Sequence, residues 1–189
     1  MKKLVLTMTT VFFASVIFTS CKKEKEERPV QEEQATTLNQ GNGIMETVQK
    51  APNGAAVVFS NWIQKIDTDW TGFGVTKWTT DMNTTSLTSA VRDNGLVLVY
   101  FNLNGFISQL PNESLGENLV LDYYFTTGKI TARYTYGGGS VAGNPWYIKF
   151  RYILIPSSAF DIPGPGGRTH QPVDYSNYNA VCEYYGIEK

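Results

Sequence analysis

Few residues in this chain have the types and spacing that chemistry requires. Its single histidine, His170, sits in the run Gly166-Gly167-Arg168-Thr169-His170. A catalytic imidazole needs a nucleophile on one side and an orienting carboxylate on the other, and no Gly-x-Ser-x-Gly elbow supplies the first. Cys182 lies at helical spacing from Tyr175, Tyr178 and Tyr185, the setting of a small buried hydrophobe rather than a reactive thiol. One histidine and two cysteines exclude a multi-ligand zinc cluster and a disulfide framework. Asp67-Thr68-Asp69 puts alternate carboxylates before Trp70, a fragment of a calcium loop, but no bidentate Glu follows at EF-hand spacing. No carboxylate pair is singled out for glycoside hydrolysis. The Gly-rich runs 137–140 and 164–167 do not open a helix after a parallel strand, so neither reads as a phosphate cradle. The expectation is a protein with no cofactor, no metal and no catalytic residue, hence not an enzyme.

The remaining lead is aromatic. Trp62, Trp70, Trp78, Trp146 and Tyr147 fall near predicted strand ends or in loops, with Asn, Thr and Asp nearby. Exposed rings in such company stack on sugar faces or seat a protein partner. The same rings in a sandwich interior are core, so exposure decides between the two. Nucleic acid is not an expected partner: 16 cationic against 17 acidic side chains leave no basic stripe.

The N-terminus reads as an address. Lys2 and Lys3 precede a mostly apolar run, residues 4–18, too short for the roughly 20 residues that span a bilayer as a helix and suited to a signal-peptide core. Phe18-Thr19-Ser20-Cys21 follows. Small residues directly before a cysteine resemble the lipobox of bacterial lipoproteins, in which that cysteine is lipidated and becomes the new N-terminus; Phe18 departs from the aliphatic residue usual there. Acyl chains on Cys21 would anchor the protein to a membrane without spanning it, at about 0.8 kcal/mol per buried CH₂. Nine of the twelve residues 22–33 are charged, so a solvated tether is expected over 21–51, after a leader at 1–20. Its mixed Lys/Glu opening is similar to export signals that carry lipoproteins to the surface of Bacteroidota-type bacteria. Within it, Gly41-Asn42-Gly43 is a breaker and 44–48 a short helix or nothing.

Residues 52–189 hold all four Trp, all eleven Tyr and seven of the ten Phe. That enrichment, with frequent turn residues, points to strands. Candidates are 56–63, 75–79, 96–103, 106–110, 118–126, 130–136 and 146–155. Without helical crossovers between them, the expected fold is all-β: an antiparallel β-sandwich, jelly-roll-like, with a short C-terminal helix. Alternation around Thr127-Gly128 predicts a hairpin pairing Phe125 with Ile130, Tyr123 with Ala132 and Leu121 with Tyr134, and Asp122 with Arg133 on the other face; a two- or four-residue loop fits. Residues 96–103 are apolar on both parities, as a strand covered on both sides would be. Residues 86–94 read as a short helix or turn ending at Gly95. Residues 146–155 put Ile148, Phe150, Tyr152 and Leu154 on one face, Lys149 and Arg151 on the other. Asp174 is the expected cap of a helix running to Tyr185 and leaving through Gly186.

Several segments together carry a family resemblance: Val58-Phe59-Ser60-Asn61-Trp62, the run 93–100, Gln109-Leu110-Pro111, Gly128-Lys129-Ile130, the run 151–156, and Asp174-Tyr175 with Tyr178, Val181 and Tyr184. Over about residues 55–187 they resemble small secreted or lipidated domains of Bacteroidota-type bacteria, also met at the C-terminal ends of collagen-like bacterial proteins. The resemblance implies a β-sandwich at the cell surface and brings no activity or catalytic residue with it. The Gly-X-Y repeats of the collagen-like members are missing, so trimer formation is not implied. The resulting expectation is a lipid-anchored outer-membrane protein, exposed at the cell surface, that works as a non-catalytic binding or adhesion module for a glycan or an envelope protein. A structural part of the envelope is the alternative, and a small glycan hydrolase ranks below both.

Overall fold

The computed structural model describes residues 35–73, 76–113, 118–137, 147–159 and 173–189. The leader, Cys21, Trp146, His170 and the Gly-rich runs 138–140 and 164–167 lie outside these residues. Two antiparallel sheets face each other. The seven-stranded sheet runs β1 (Thr36–Gly41), β2 (Ile44–Lys50), β3 (Ala56–Ser60), β11 (Lys149–Ile155), β7 (Leu96–Leu103), β8 (Phe106–Gln109), with β4 (Ile63–Gln64) also paired to β11. The four-stranded sheet runs β5 (Thr71–Phe73), β6 (Lys77–Asn83), β10 (Lys129–Tyr136), β9 (Leu119–Thr126). Helices α1 (Ser89–Asn94) and α2 (Tyr178–Tyr185) complete the chain. The fold is the expected all-β, sandwich-like one.

Side-chain alternation decides what each face covers. Val97, Val99 and Phe101 on β7 and Phe150, Tyr152 and Leu154 on β11 point between the sheets, against Met82, Leu121, Ile130, Ala132 and Tyr134. Each such side chain, fully buried, contributes about 1.5–3 kcal/mol. The opposite parity, Leu98, Tyr100, Ile153 and Ile155, is buried too, under Tyr178, Val181, Cys182 and Tyr185 of α2. Strand β7 is thus covered on both faces, as its unbroken apolar run demands. The β9–β10 hairpin has the register expected from alternation, through a two-residue turn at Thr127-Gly128. Helix α1 is capped by the Thr88 side chain and ends on Gly95, where a side chain would strike the Ile155 carbonyl at 2.6 Å.

Two expectations need correction. Residues 36–50 do not belong to a tether. They are a hairpin, β1–β2, turned at Gly41-Asn42-Gly43 with φ of 79°, 51° and 74°, and β2 pairs with β3. Hydropathy conceals this hairpin because its most buried side chain is an acid. Glu46 has no exposed surface. Its carboxylate accepts from Thr84 Oγ1, from Ser86 Oγ at 2.5 Å, from the Tyr152 hydroxyl at 2.7 Å and from Gln40 Nε2 at 2.6 Å. Buried acids survive only with such a full complement of donors. The second correction is the cap of α2. Asn177 caps it, accepting from the Ala180 amide, while Asp174 closes the preceding turn through both Ser176 donors.

Glu46 therefore welds the hairpin to the β6–α1 loop and to β11. Glu46→Ala leaves buried hydroxyls without an acceptor and is expected to cost about 3 kcal/mol of stability. Urea unfolding of the purified chain measures it; a loss below about 1 kcal/mol would show the network to be dispensable.

Candidate functional site

Two clefts stand out among the described residues. The first, about 520 Å³, opens at one end of the sandwich beside β4, β5 and β6, and is lined by Lys65, Asp69, Asp81, Asn83, Thr71 and Thr80 among others. Its charges are already engaged. Lys65 Nζ donates to the Asp81 carbonyl at 2.8 Å, Asp69 Oδ2 accepts from the Ile66 amide, and the Asp81 carboxylate takes Thr131 Oγ1 and Lys129 Nζ. Burial pulls the Lys65 ammonium below the usual lysine range, against the opposing pull of Asp69 and Asp81. Thr80 Oγ1 is sealed in without a partner. Among the described residues no aromatic ring lines this cleft.

The second cleft, about 480 Å³, is a groove on the outer face of the seven-stranded sheet. Its floor is β1, β2 and β3, through Thr37, Met45, Thr47, Gln49 and Phe59; its wall is Asn61, Trp62, Arg151, Gly186, Glu188 and Lys189. The wall follows from how α2 ends. Gly186 takes the left-handed conformation, φ 66°, which favours a residue without a Cβ. The Ile187 amide then bonds back to the Cys182 carbonyl at 2.8 Å and the Gly186 amide to the Glu183 carbonyl, a Schellman closure with apolar Ile187 buried beneath. This turn sends the last residues back across β11, where the Glu188 carbonyl meets Arg151.

Arg151 is the unusual group here. Only 4% of it is exposed. Nε donates to the Ser60 carbonyl at 2.8 Å, and Nη1 donates to the Tyr178 hydroxyl at 2.5 Å and the Glu188 carbonyl at 2.7 Å. The guanidinium lies 5.0 Å from the Phe59 ring centre, 5.9 Å from Trp62 and 6.0 Å from Tyr178. Neutral oxygens and ring faces thus stabilise a buried cation. Among the described residues no carboxylate pairs with it.

The aromatic candidates separate. Trp62 is half-buried, tilted on Tyr178 at 5.5 Å between ring centres, and lines the groove. Trp70 is core, packed on Phe150, and its Nε1 has no partner. Trp78 is half-buried against Tyr134. Tyr147 is 68% exposed and lines a shallow cleft with Ile66, Asp67 and Thr68. Trp146 lies outside the described residues. Among the described residues these rings do not gather into one surface, and Trp62 is the candidate that borders the groove holding Arg151. Asp67-Thr68-Asp69 forms a 3₁₀ turn. Among the described residues no group of three or more His, Cys, Asp or Glu side chains converges, and no helix is long and apolar enough to cross a membrane. Cys182 is a buried free thiol, pushed up by burial.

Alternation along β11 puts Arg151 with Lys149 on the face opposite Phe150, Tyr152 and Leu154, and composition puts Glu46 in the tether. The signal for Arg151 was available: Ile153 and Ile155 share its parity, so that face of β11 had to be covered. No family model, curated protein or solved structure matches the chain.

Burial pushes the Tyr178 phenol up to about 12, more than Arg151 pulls it back. An unfolded tyrosine titrates near 10. The sign follows: the contribution of Tyr178 is intact below pH 10 and is lost as pH rises from 10 towards 12. Tyr100, Tyr152 and Tyr185 are raised as well, each mainly by burial. Stability is expected to fall by about 1 kcal/mol or more per pH unit above pH 10. Phenolate absorbance should appear together with unfolding; phenolate forming in the folded protein at pH 10 would contradict the burial.

Proposed function

We propose that this chain is a lipid-anchored binding module of a bacterial outer membrane, held by Cys21 and recognising glycans through the groove at Trp62. Attachment rests on the lipobox-like Phe18-Thr19-Ser20-Cys21 and the charged run behind it. Recognition rests on one observation above the others: a half-buried indole borders a groove whose floor and wall carry hydroxyl and amide side chains, Thr37, Thr47, Gln49 and Asn61. A sugar ring presents an apolar face edged with hydroxyls, and an aromatic ring flanked by fixed donors and acceptors complements both. The groove is built on strands, so little ordering is required on binding.

The second reading, a structural component of the envelope, is favoured by the outer edge of the seven-stranded sheet. Edge strand β8 exposes Phe106 at 53% and Ile107 at 36%, an apolar pair on a strand edge unpaired among the described residues, which suits strand addition by another protein.

A glycan array probed with the full chain tests the first reading. Retention of at least one glycan class is expected, weakened about tenfold or more by Trp62→Ala and unchanged by Tyr147→Ala. An array that stays blank, with Phe106-dependent cross-links to an envelope protein on intact cells, would transfer the function to the β8 edge.

A further inference from the structure

We infer that the Trp62 groove selects an anionic sugar, whose acidic group docks on Arg151. This rests on the glycan reading above and narrows it. A guanidinium has five N–H donors. Nε uses one and Nη1 uses two, on Ser60, Tyr178 and Glu188. That leaves both N–H groups of Nη2, which make no bond among the described residues. Nor is Nη2 a sealed atom: the only buried side-chain nitrogen or oxygen atoms without a partner among these residues are Trp70 Nε1 and Thr80 Oγ1. Arg151 lines the groove, so its two open donors face that space.

Charge points the same way. Of the charged side chains in the groove wall, Arg151, Lys189 and Glu188, the one that is buried is cationic. Glu188 engages Arg151 through its backbone carbonyl and stands exposed. A buried cation held only by neutral groups retains most of its attraction for an oxyanion, because little water screens it. Three fixed bonds also orient the fork in advance, so an arriving carboxylate or sulfate meets donors already in place. The indole of Trp62, with Arg151 5.9 Å from its ring centre, then lies within one sugar residue of the charge. A neutral sugar would find the same ring but leave the Nη2 donors to water.

The unaltered full chain, extracted in mild detergent, tests this by NMR titration of the Trp62 indole and Arg151 Nε–H signals; Arg151→Ala would remove three structural bonds and is not needed. Methyl glucuronide and glucose 6-sulfate stand for the two acidic groups, and methyl glucoside is the neutral match. Saturable shifts of both signals with at least one acidic sugar, at an affinity tenfold or more above that of the glucoside, are expected. If only one acidic sugar does so, it identifies the group, carboxylate or sulfate. Equal affinity for the glucoside, or Arg151 signals that no acidic sugar moves, overturns the inference. Neutral glycans retained on the array with Arg151 silent would sink it while leaving the glycan reading standing. A blank array with Arg151 shifted by an acidic sugar would retain the anion site and sink the general glycan reading.

Discussion

The seven-stranded sheet has two apolar faces and only one partner sheet, so something else must cover the second. Strand β11 makes this unavoidable. Phe150, Tyr152 and Leu154 enter the inter-sheet core, while Ile153 and Ile155, one residue out of phase, need cover of their own. Helix α2 meets that need with Tyr178, Val181, Cys182 and Tyr185. An eight-residue helix is only about 12 Å long, whereas six strands abreast span about 24 Å. The cover reaches Val57 and Phe59 of β3, which are buried, and runs out over β1 and β2, where Thr37 and Met45 stand exposed. The groove is what the mismatch leaves.

The same mismatch explains two buried charges that do not pair with each other. Arg151 and Tyr152 are successive residues of β11 and point to opposite faces. Tyr152 reaches inward to Glu46, while Arg151 reaches outward to Tyr178 and Glu188. Each is held by neutral groups, hydroxyls and the Gln40 amide for Glu46 and a hydroxyl, two carbonyls and ring faces for Arg151, rather than by an opposite charge. The consequences differ. Glu46 takes four donors, two of them buried and two half-buried, and has no exposed surface itself. Arg151 stands where the cover ends, and part of its donor set opens onto the groove. A fully enclosed acid serves the fold; a cation at the boundary of the cover is free to serve a ligand.

Much of this could be read from the sequence where one face of an element is apolar and the other is not. The β9–β10 register, the doubly covered β7, the stop at Gly95 and the exit at Gly186 all follow from local pattern and turn chemistry. Legibility ends where tertiary contacts replace hydropathy. Strand β2 alternates Ile44, Glu46 and Val48 towards the core, and the acid in the middle breaks the apolar rhythm that marks a strand. Three of its four donors, Thr84, Ser86 and Tyr152, are 38 to 106 residues away, so a local window holds only Gln40. The aromatics were equally silent, since composition does not reveal which of Trp62, Trp70 and Trp78 a second layer will cover.

The misread hairpin bears directly on the groove. Thr37, Met45, Thr47 and Gln49 all belong to β1 and β2, within the stretch that composition assigns to the tether. If the folded body began near residue 52, Arg151 and Trp62 would stand over the bare edge of β3, with no floor to hold a ring against the indole. The hairpin supplies that floor, and Glu46 fixes the hairpin. The side chain that most obscured the fold in the sequence is therefore the one that completes the site: a carboxylate on the inner face of β2 holds in place the hydroxyl and amide side chains on its outer face.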